Sequence, residues 1–259
     1  GYEGIEIDVQ MTRDGEIVIA HDSNFTRMTL GHPDGGSNRR IRDLAWDEIQ
    51  KIELPYANHL LSEVPPEHSE IQLLATLPKL VMGQVEGRDY ETALAEDGRM
   101  AHLMRFSDFD AWLTAQSRSI TVEVEVKAPG LAGPILELLS RSPNTGSYIL
   151  FSGDPVYVEE MQAAVRKNGK PTGLRMGANM RRLTEETKRM IPNMDLFEVG
   201  LNADAFTCED VCWLGEHGIH VFSNLGDYPD WWEKMVTRGV LGFKTNYAAA
   251  YTNWWNSRH

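Results

Sequence analysis

The sequence predicts an α/β fold of the closed-barrel kind. It is a TIM-type (β/α)8 barrel whose first β/α unit is missing from these 259 residues, with an inserted region after the second strand. Three observations predict it. From about residue 105 onward, short apolar runs alternate with helix-like stretches, the rhythm of a parallel sheet. The length suits one barrel of about 250 residues. The composition, 42% hydrophobic and 24% charged, is that of an ordinary globular chain.

Seven runs read as buried strands: 5–9, 119–126, 148–152, 172–175, 196–200, 219–223 and 241–245. Between the later ones, 131–140, 155–167, 184–190, 208–217 and 229–238 read as helices. Ser107 and Thr184 are candidate N-caps, and Gly218 and Gly239 candidate helix stops. A closed barrel needs eight strands, and an open sheet of seven would expose a long apolar edge. The missing unit is therefore expected upstream of Gly1. Residues 53–106 break the rhythm, with scattered apolar residues and Pro65-Pro66. After a short helix at 45–52, this stretch is expected to be an insertion over the barrel mouth, within a single domain spanning 1–259.

The formal net charge of −13 argues against a nucleic-acid partner, which needs a basic face, and against simple docking on anionic lipid. It does not exclude a phosphate-bearing substrate, because a bound cation reverses the local sign. Cys208 and Cys212 lie one helical turn apart, which suits packing better than a disulfide framework and leaves the compartment undecided. No apolar run is long enough to cross a membrane.

The chemistry concentrates in the segment 5–22. Two β-prone runs flank Asp14-Gly15, the strongest short hairpin signal, and the connection is too short for a parallel crossover. With a two-residue loop, Arg13 faces Glu16 and, counting back, Asp8 faces His21. Glu6 shares the face of Asp8, since side chains alternate along a strand. Two carboxylates so placed are costly if buried without a partner, and Mg²⁺ or Ca²⁺ is the natural one for oxygen ligands. The bland alternative is a pair of solvated acids near the barrel mouth. Against it stands a second acidic strand, in which Glu123, Glu125 and Lys127 share one face. His21-Asp22 also stands where an acid/base group could reach a metal-bound phosphate. Glu6, Asp8, Glu125 and Lys127 all fall near the C-terminal ends of their strands, where barrel active sites are built.

These residues resemble the glycerophosphodiester phosphodiesterases. Ile5-Glu-Ile-Asp-Val, Thr12-Arg-Asp-Gly15 and Val18-Ile-Ala-His-Asp22 look like that family's core signature. Asn24–Gly31, Asp43–Ile49 and Val124-Glu-Val-Lys127 resemble its later segments. The likeness covers nearly the whole chain apart from 53–105. It implies a TIM barrel and a divalent cation, Mg²⁺ or Ca²⁺, held by Glu6, Asp8 and Glu125. It further implies that His21 is one of two acid/base histidines, that Lys127 holds the phosphate, and that the substrate is a small phosphodiester.

Three departures stand out. The family's opening His-Arg-Gly strand, with the other histidine, would lie upstream of Gly1. Phe222, in Val221-Phe-Ser-Asn-Leu225, takes the place of a usual tryptophan beside the alcohol. The usual Thr-Asp ending reads Thr245-Asn246. Glu123 is expected near the metal, as a supporting group or further ligand. His59, Glu63, Glu67 and His68 in the insertion lack a helical metal-ligand spacing, and the Trp231-Trp232 and Trp254-Trp255 pairs are expected to pack on the barrel.

The leading function is metal-dependent hydrolysis of glycerophosphodiesters to an alcohol and glycerol 3-phosphate. The alternatives are a phospholipase D-like action on lysolipids and a non-catalytic barrel that binds metal and phosphodiester. Headgroup, choice of ion, oligomeric state and compartment are not legible in the sequence.

Overall fold

A computed structural model describes residues 4–26, 28–29, 38–55, 100–224, 226, 229–245 and 248–258. The chain divides into two compact units, one of residues 1–9 with 107–259 and one of residues 10–106.

In chain order the strands are β1 (Gly4–Met11), β2 (Ile17–Ile19), β3 (Leu54–Pro55), β4 (Met100–Ala101), β5 (Met104–Arg105), β6 (Thr121–Val126), β7 (Tyr148–Phe151), β8 (Arg175–Arg181), β9 (Glu198–Leu201), β10 (His220–Ser223) and β11 (Gly242–Phe243). The helices are α1 (Trp46–Ile49), α2 (Phe106–Thr114), α3 (Ala132–Arg141), α4 (Pro155–Asn168), α5 (Glu185–Met190), α6 (Cys208–Glu216), α7 (Pro229–Arg238) and α8 (Ala248–Asn256).

The larger unit is the (β/α) barrel body. Its strands run β1-β6-β7-β8-β9-β10-β11, and every neighbouring pair is parallel. Seven strands are expected from the sequence, and six of them overlap these; β8 meets its expected range only at Arg175. Alternate residues of β6 show why the sheet takes this place. Val122, Val124 and Val126 are fully buried on one face, while Glu123 and Glu125 occupy the other. Helix α3 buries Ile135, Leu136 and Leu139, an apolar stripe at helical spacing. Each such side chain contributes about 1.5–3 kcal/mol by leaving water. Asp154 caps α4 by accepting from the Val156 N–H at 2.8 Å, with Pro155 in the first turn. Thr184 caps α5 through the Thr187 N–H, as expected. Gly218 and Gly239 end α6 and α7 with positive φ, also as expected.

Several boundaries differ from the sequence reading. Strand β8 starts at Arg175, where the expected strand 172–175 ended. Helix α2 starts at Phe106, so Ser107 lies inside it and is no cap. Helix α8 was not anticipated. Cys208 and Cys212 are exposed free thiols, so they do not pack inward. Of the tryptophan pairs, Trp232 is buried and meets Tyr251 and Trp254 edge-on, while Trp255 is exposed.

The smaller unit has its own apolar cluster of Val18, Ala20, Phe25, Ile41, Leu44 and Ile49. Strand β2 pairs antiparallel with β5, and β3 with β4. The β3–β4 pair sets Leu54 beside Ala101 and Pro55 beside Met100, near the two ends of the 53–106 stretch. Residues 56–99, with His59, Glu63, Glu67 and His68, lie outside the described residues.

The hairpin corrects the expected register. The Thr12 N–H donates to the Glu16 carbonyl at 2.9 Å, and the Gly15 N–H to the Thr12 carbonyl at 3.1 Å. The loop is therefore the three residues Arg13-Asp14-Gly15, with Gly15 at φ +86°. This is a type I turn closed by a left-handed glycine. The extra loop residue shifts the pairing by one and removes the basis for setting Asp8 opposite His21. Asp14 makes this loop the better choice. Its carboxylate accepts from Thr12 Oγ1 at 2.6 Å and from the Trp46 N–H, where it caps α1.

Candidate metal and phosphate site

Parallel pairing of β1 with β6 sets Glu6 beside Glu123 and Asp8 beside Glu125. Period-two alternation then puts all four carboxylates on one face of two adjacent strands. Glu6, Asp8 and Glu125 each offer one oxygen, and the three oxygens lie within 4.8 Å of one another. Lys127, one step past β6, sets its ammonium 2.8 Å from Asp8 Oδ1 and 3.5 Å from Glu125 Oε2. The Gly153 N–H donates to Glu125 Oε1 at 3.2 Å, orienting that carboxylate.

The cluster is short of positive charge. Burial, then repulsion from Asp8, pushes the Glu6 carboxyl up to about 7. Burial also raises Glu125, against the pull of Lys127. Burial works against the Lys127 charge too, but the neighbouring Asp8 and Glu125 carboxylates outweigh it and hold its pKa above the ordinary value. The buried Asp8 Oδ1 has no well-aligned hydrogen-bond donor, only the Lys127 ammonium beside it. Converging oxygen ligands, raised carboxyl pKa values and an under-satisfied buried oxygen fit a hard divalent cation.

The sequence reading missed Lys244, Glu198 with Gly177 beside it, and three asparagines. Lys244 follows β11 and reaches back across the unit to Glu123 Oε1, 3.2 Å away, with its ammonium 3.9 Å from the Phe151 ring centre. Glu123 is thus engaged by Lys244 and stands outside the three-oxygen group. Glu198, on β9, is 2% exposed; burial and then Glu123 raise its carboxyl well above the usual range. Gly177 makes room for it, since a Cβ there would lie 2.8 Å from Glu198 Oε1. Asn179, Asn202 and Asn224, at the C-terminal ends of β8, β9 and β10, form one amide network. Asn224 Nδ2 donates to Asn202 Oδ1 at 2.6 Å and to Asn179 Oδ1 at 3.1 Å, and Asn179 Nδ2 returns a bond to Asn224 Oδ1 at 2.9 Å. The available signal was parity: Glu198 is in phase with Gly200, and each asparagine ends or follows an apolar run.

Of the other expected residues, Phe222 is half-buried on β10, with its ring over Gly242, where a Cβ would lie 2.8 Å from the ring. His21 belongs to the smaller unit. Its side chain is 65% exposed, and Nδ1 lies 2.7 Å from Asp22 Oδ1.

Residues 1–127 match the model of the glycerophosphoryl diester phosphodiesterase family. A glycerophosphodiester phosphodiesterase of Caldanaerobacter subterraneus subsp. tengcongensis is 38% identical over 53 residues, which are 20% of this chain and 19% of that protein. Glycerophosphodiester phosphodiesterase 1 of Rattus norvegicus is 37% identical over 68 residues, 26% of this chain and 18% of that protein. The matched segments thus span about a fifth of these curated relatives. Among solved structures, a putative glycerophosphoryl diester phosphodiesterase from Silicibacter pomeroyi superposes with a TM-score of 0.70 at 16% identity, covering 99% of this chain and 84% of that one. An Oleispira antarctica phosphodiesterase, solved with the product sn-glycerol-3-phosphate, gives 0.69 at 14% identity, covering 99% and 86%. At these identities the structures establish the shared fold.

Proposed function

We propose that this chain, which belongs to the glycerophosphodiester phosphodiesterase family, hydrolyses glycerophosphodiesters to an alcohol and glycerol 3-phosphate with a divalent cation held by Glu6, Asp8 and Glu125. The observation that carries this reading is the convergence of those three carboxylate oxygens within 4.8 Å, with the Lys127 ammonium against Asp8. The product-bound Oleispira antarctica relative supports the choice of glycerol 3-phosphate.

When bound, the cation would polarise the phosphoryl oxygens and cancel their repulsion of an incoming nucleophile. Lys127 supplies a fixed positive charge on the same side, able to hold a phosphoryl oxygen. Glu125 is kept in orientation by the Gly153 N–H. His21 exchanges a proton with the diester or its nucleophile, a role assigned by the family motif. Phe222 offers an apolar face to the alcohol or the glycerol carbons. Mg²⁺ and Ca²⁺ both suit all-oxygen ligands, and the two are separated by titration.

The test is release of glycerol 3-phosphate from glycerophosphocholine by the purified protein, with added Mg²⁺ or Ca²⁺ and with EDTA. Release that EDTA stops is the expected result. No release with either ion, while calorimetry still records binding of the ion, would leave the non-catalytic binding barrel as the correct reading.

A further inference from the structure

Among the described residues, seven have positive φ; six are glycines and the seventh is Arg181, at φ +61°. A glycine would sit in that conformation without strain, so the turn itself does not call for arginine. The backbone around it is fixed on both sides. Its N–H donates to Asn179 Oδ1 at 3.2 Å, its carbonyl accepts from the Asn202 N–H at 2.7 Å, and the β8–β9 register shifts between Asn179 and Arg181. A bulge that holds a strained non-glycine residue at a strand end re-aims a side chain.

Asn179, two residues before Arg181, stands near the carboxylate cluster. At Gly153, which donates to Glu125, an added Cβ would lie 3.1 Å from Glu125 Oε1 and 3.9 Å from Asn179 Nδ2. Arg181 follows Asn179 by two residues, at the C-terminal end of β8. Arg181 and Arg182 are both exposed, and neither guanidinium has a hydrogen bond or ion pair among the described residues.

We propose that Arg181, with Arg182 beside it, determines substrate specificity by binding an anionic group on the alcohol half of the diester. The inference rests on the proposed hydrolase reading. Lys127 and the cation account for the phosphoryl group, and the planar guanidinium fork then takes a carboxylate or phosphate carried by the alcohol.

Glycerophosphoserine and glycerophosphoethanolamine differ by one carboxylate and isolate this effect. The ratio of their kcat/KM values, measured with Mg²⁺ in wild type, Arg181→Gly, Arg181→Lys and Arg182→Ala, is the readout. Arg181→Gly suits the left-handed backbone and should lower the serine-to-ethanolamine ratio about tenfold, the worth of one charged hydrogen bond, with Arg181→Lys restoring part. A ratio that stays constant in Arg181→Gly and Arg182→Ala overturns the proposal, even if both rates fall. Calorimetric titration with phosphoserine and phosphoethanolamine reads the same preference without turnover. If no diester is hydrolysed, the hydrolase reading fails, and the titration alone decides whether Arg181 selects the carboxylate.

Discussion

Lys244 Nζ lies 3.2 Å from Glu123 Oε1, a contact that ties the segment after β11 to β6 across the four strands between them. Among the described residues no strand-to-strand hydrogen bonding joins β11 to β1, so this ion pair is one of the ties across the interior of the unit. The side chains are 22% and 8% exposed, so removing one partner strands the other in a low-dielectric setting. Lys244→Met should cost about 2–3 kcal/mol, slightly below the range for a fully buried pair. Adding Glu123→Gln should recover part of that loss, because the uncompensated charge is gone. Urea unfolding of the two single variants and the double variant measures both terms. A Lys244→Met midpoint equal to wild type would mean that the pair contributes nothing to stability.

Glu198 should give the protein a pH-dependent weakness. Burial and then Glu123 raise its folded-state carboxyl well above 4.5, so the folded protein keeps that proton after the unfolded chain has released it. The folded state then binds more protons, and stability falls as pH rises from about 4.5 through the folded value. Glu198→Gln removes this loss while keeping the shape. The Tm of Glu198→Gln minus that of wild type should be smallest near pH 4.5 and grow as pH rises. A difference that is flat with pH, or that shrinks, would show that Glu198 does not hold its proton.

The elements that were legible in the sequence are those whose outward residues pack under helices. Strands β6, β7 and β9 read correctly because both faces of their apolar runs are buried or nearly so, and β10 because Val221 and Ser223 are buried on one face. Strand β8 was misplaced because its inward positions are Gly177 and Asn179, chosen to clear Glu198 and to build the amide network, so it lacks an apolar signature. The three carboxylates were legible because they share short motifs. Lys244 and Glu198 were not, since each is a single charge whose partner lies far away in sequence and only the curl of the sheet brings them together. The hairpin loop was misjudged by one residue because Asp14-Gly15 serves either loop length. The capping of α1 by Asp14, which a local pattern does not display, decides it.

Arg181→Gly should raise stability. A left-handed L-residue costs roughly 1–2 kcal/mol, against which glycine gives back part through the entropy of the unfolded chain. A net gain of about 0.5–1 kcal/mol is expected, visible as a higher Tm. Arg181→Ala keeps the strain and should show no such gain. Equal melting of the glycine and alanine variants would mean that the backbone at 181 carries no strain.

Metal binding and turnover should separate by residue. Asp8→Asn removes a proposed ion ligand, so calorimetry should record loss of Mg²⁺ or Ca²⁺ binding, and turnover should fall with it. His21→Ala should leave ion binding intact and lower kcat by at least about a hundredfold, the usual worth of a positioned acid/base group. Asp22 sits 2.7 Å from His21 Nδ1 and favours the tautomer with its proton there, which puts the lone pair on Nε2. Asp22→Asn should therefore lower kcat, but by less than His21→Ala does. A His21→Ala variant that still turns over near the wild-type rate would remove His21 from the chemistry while leaving the carboxylate site in place.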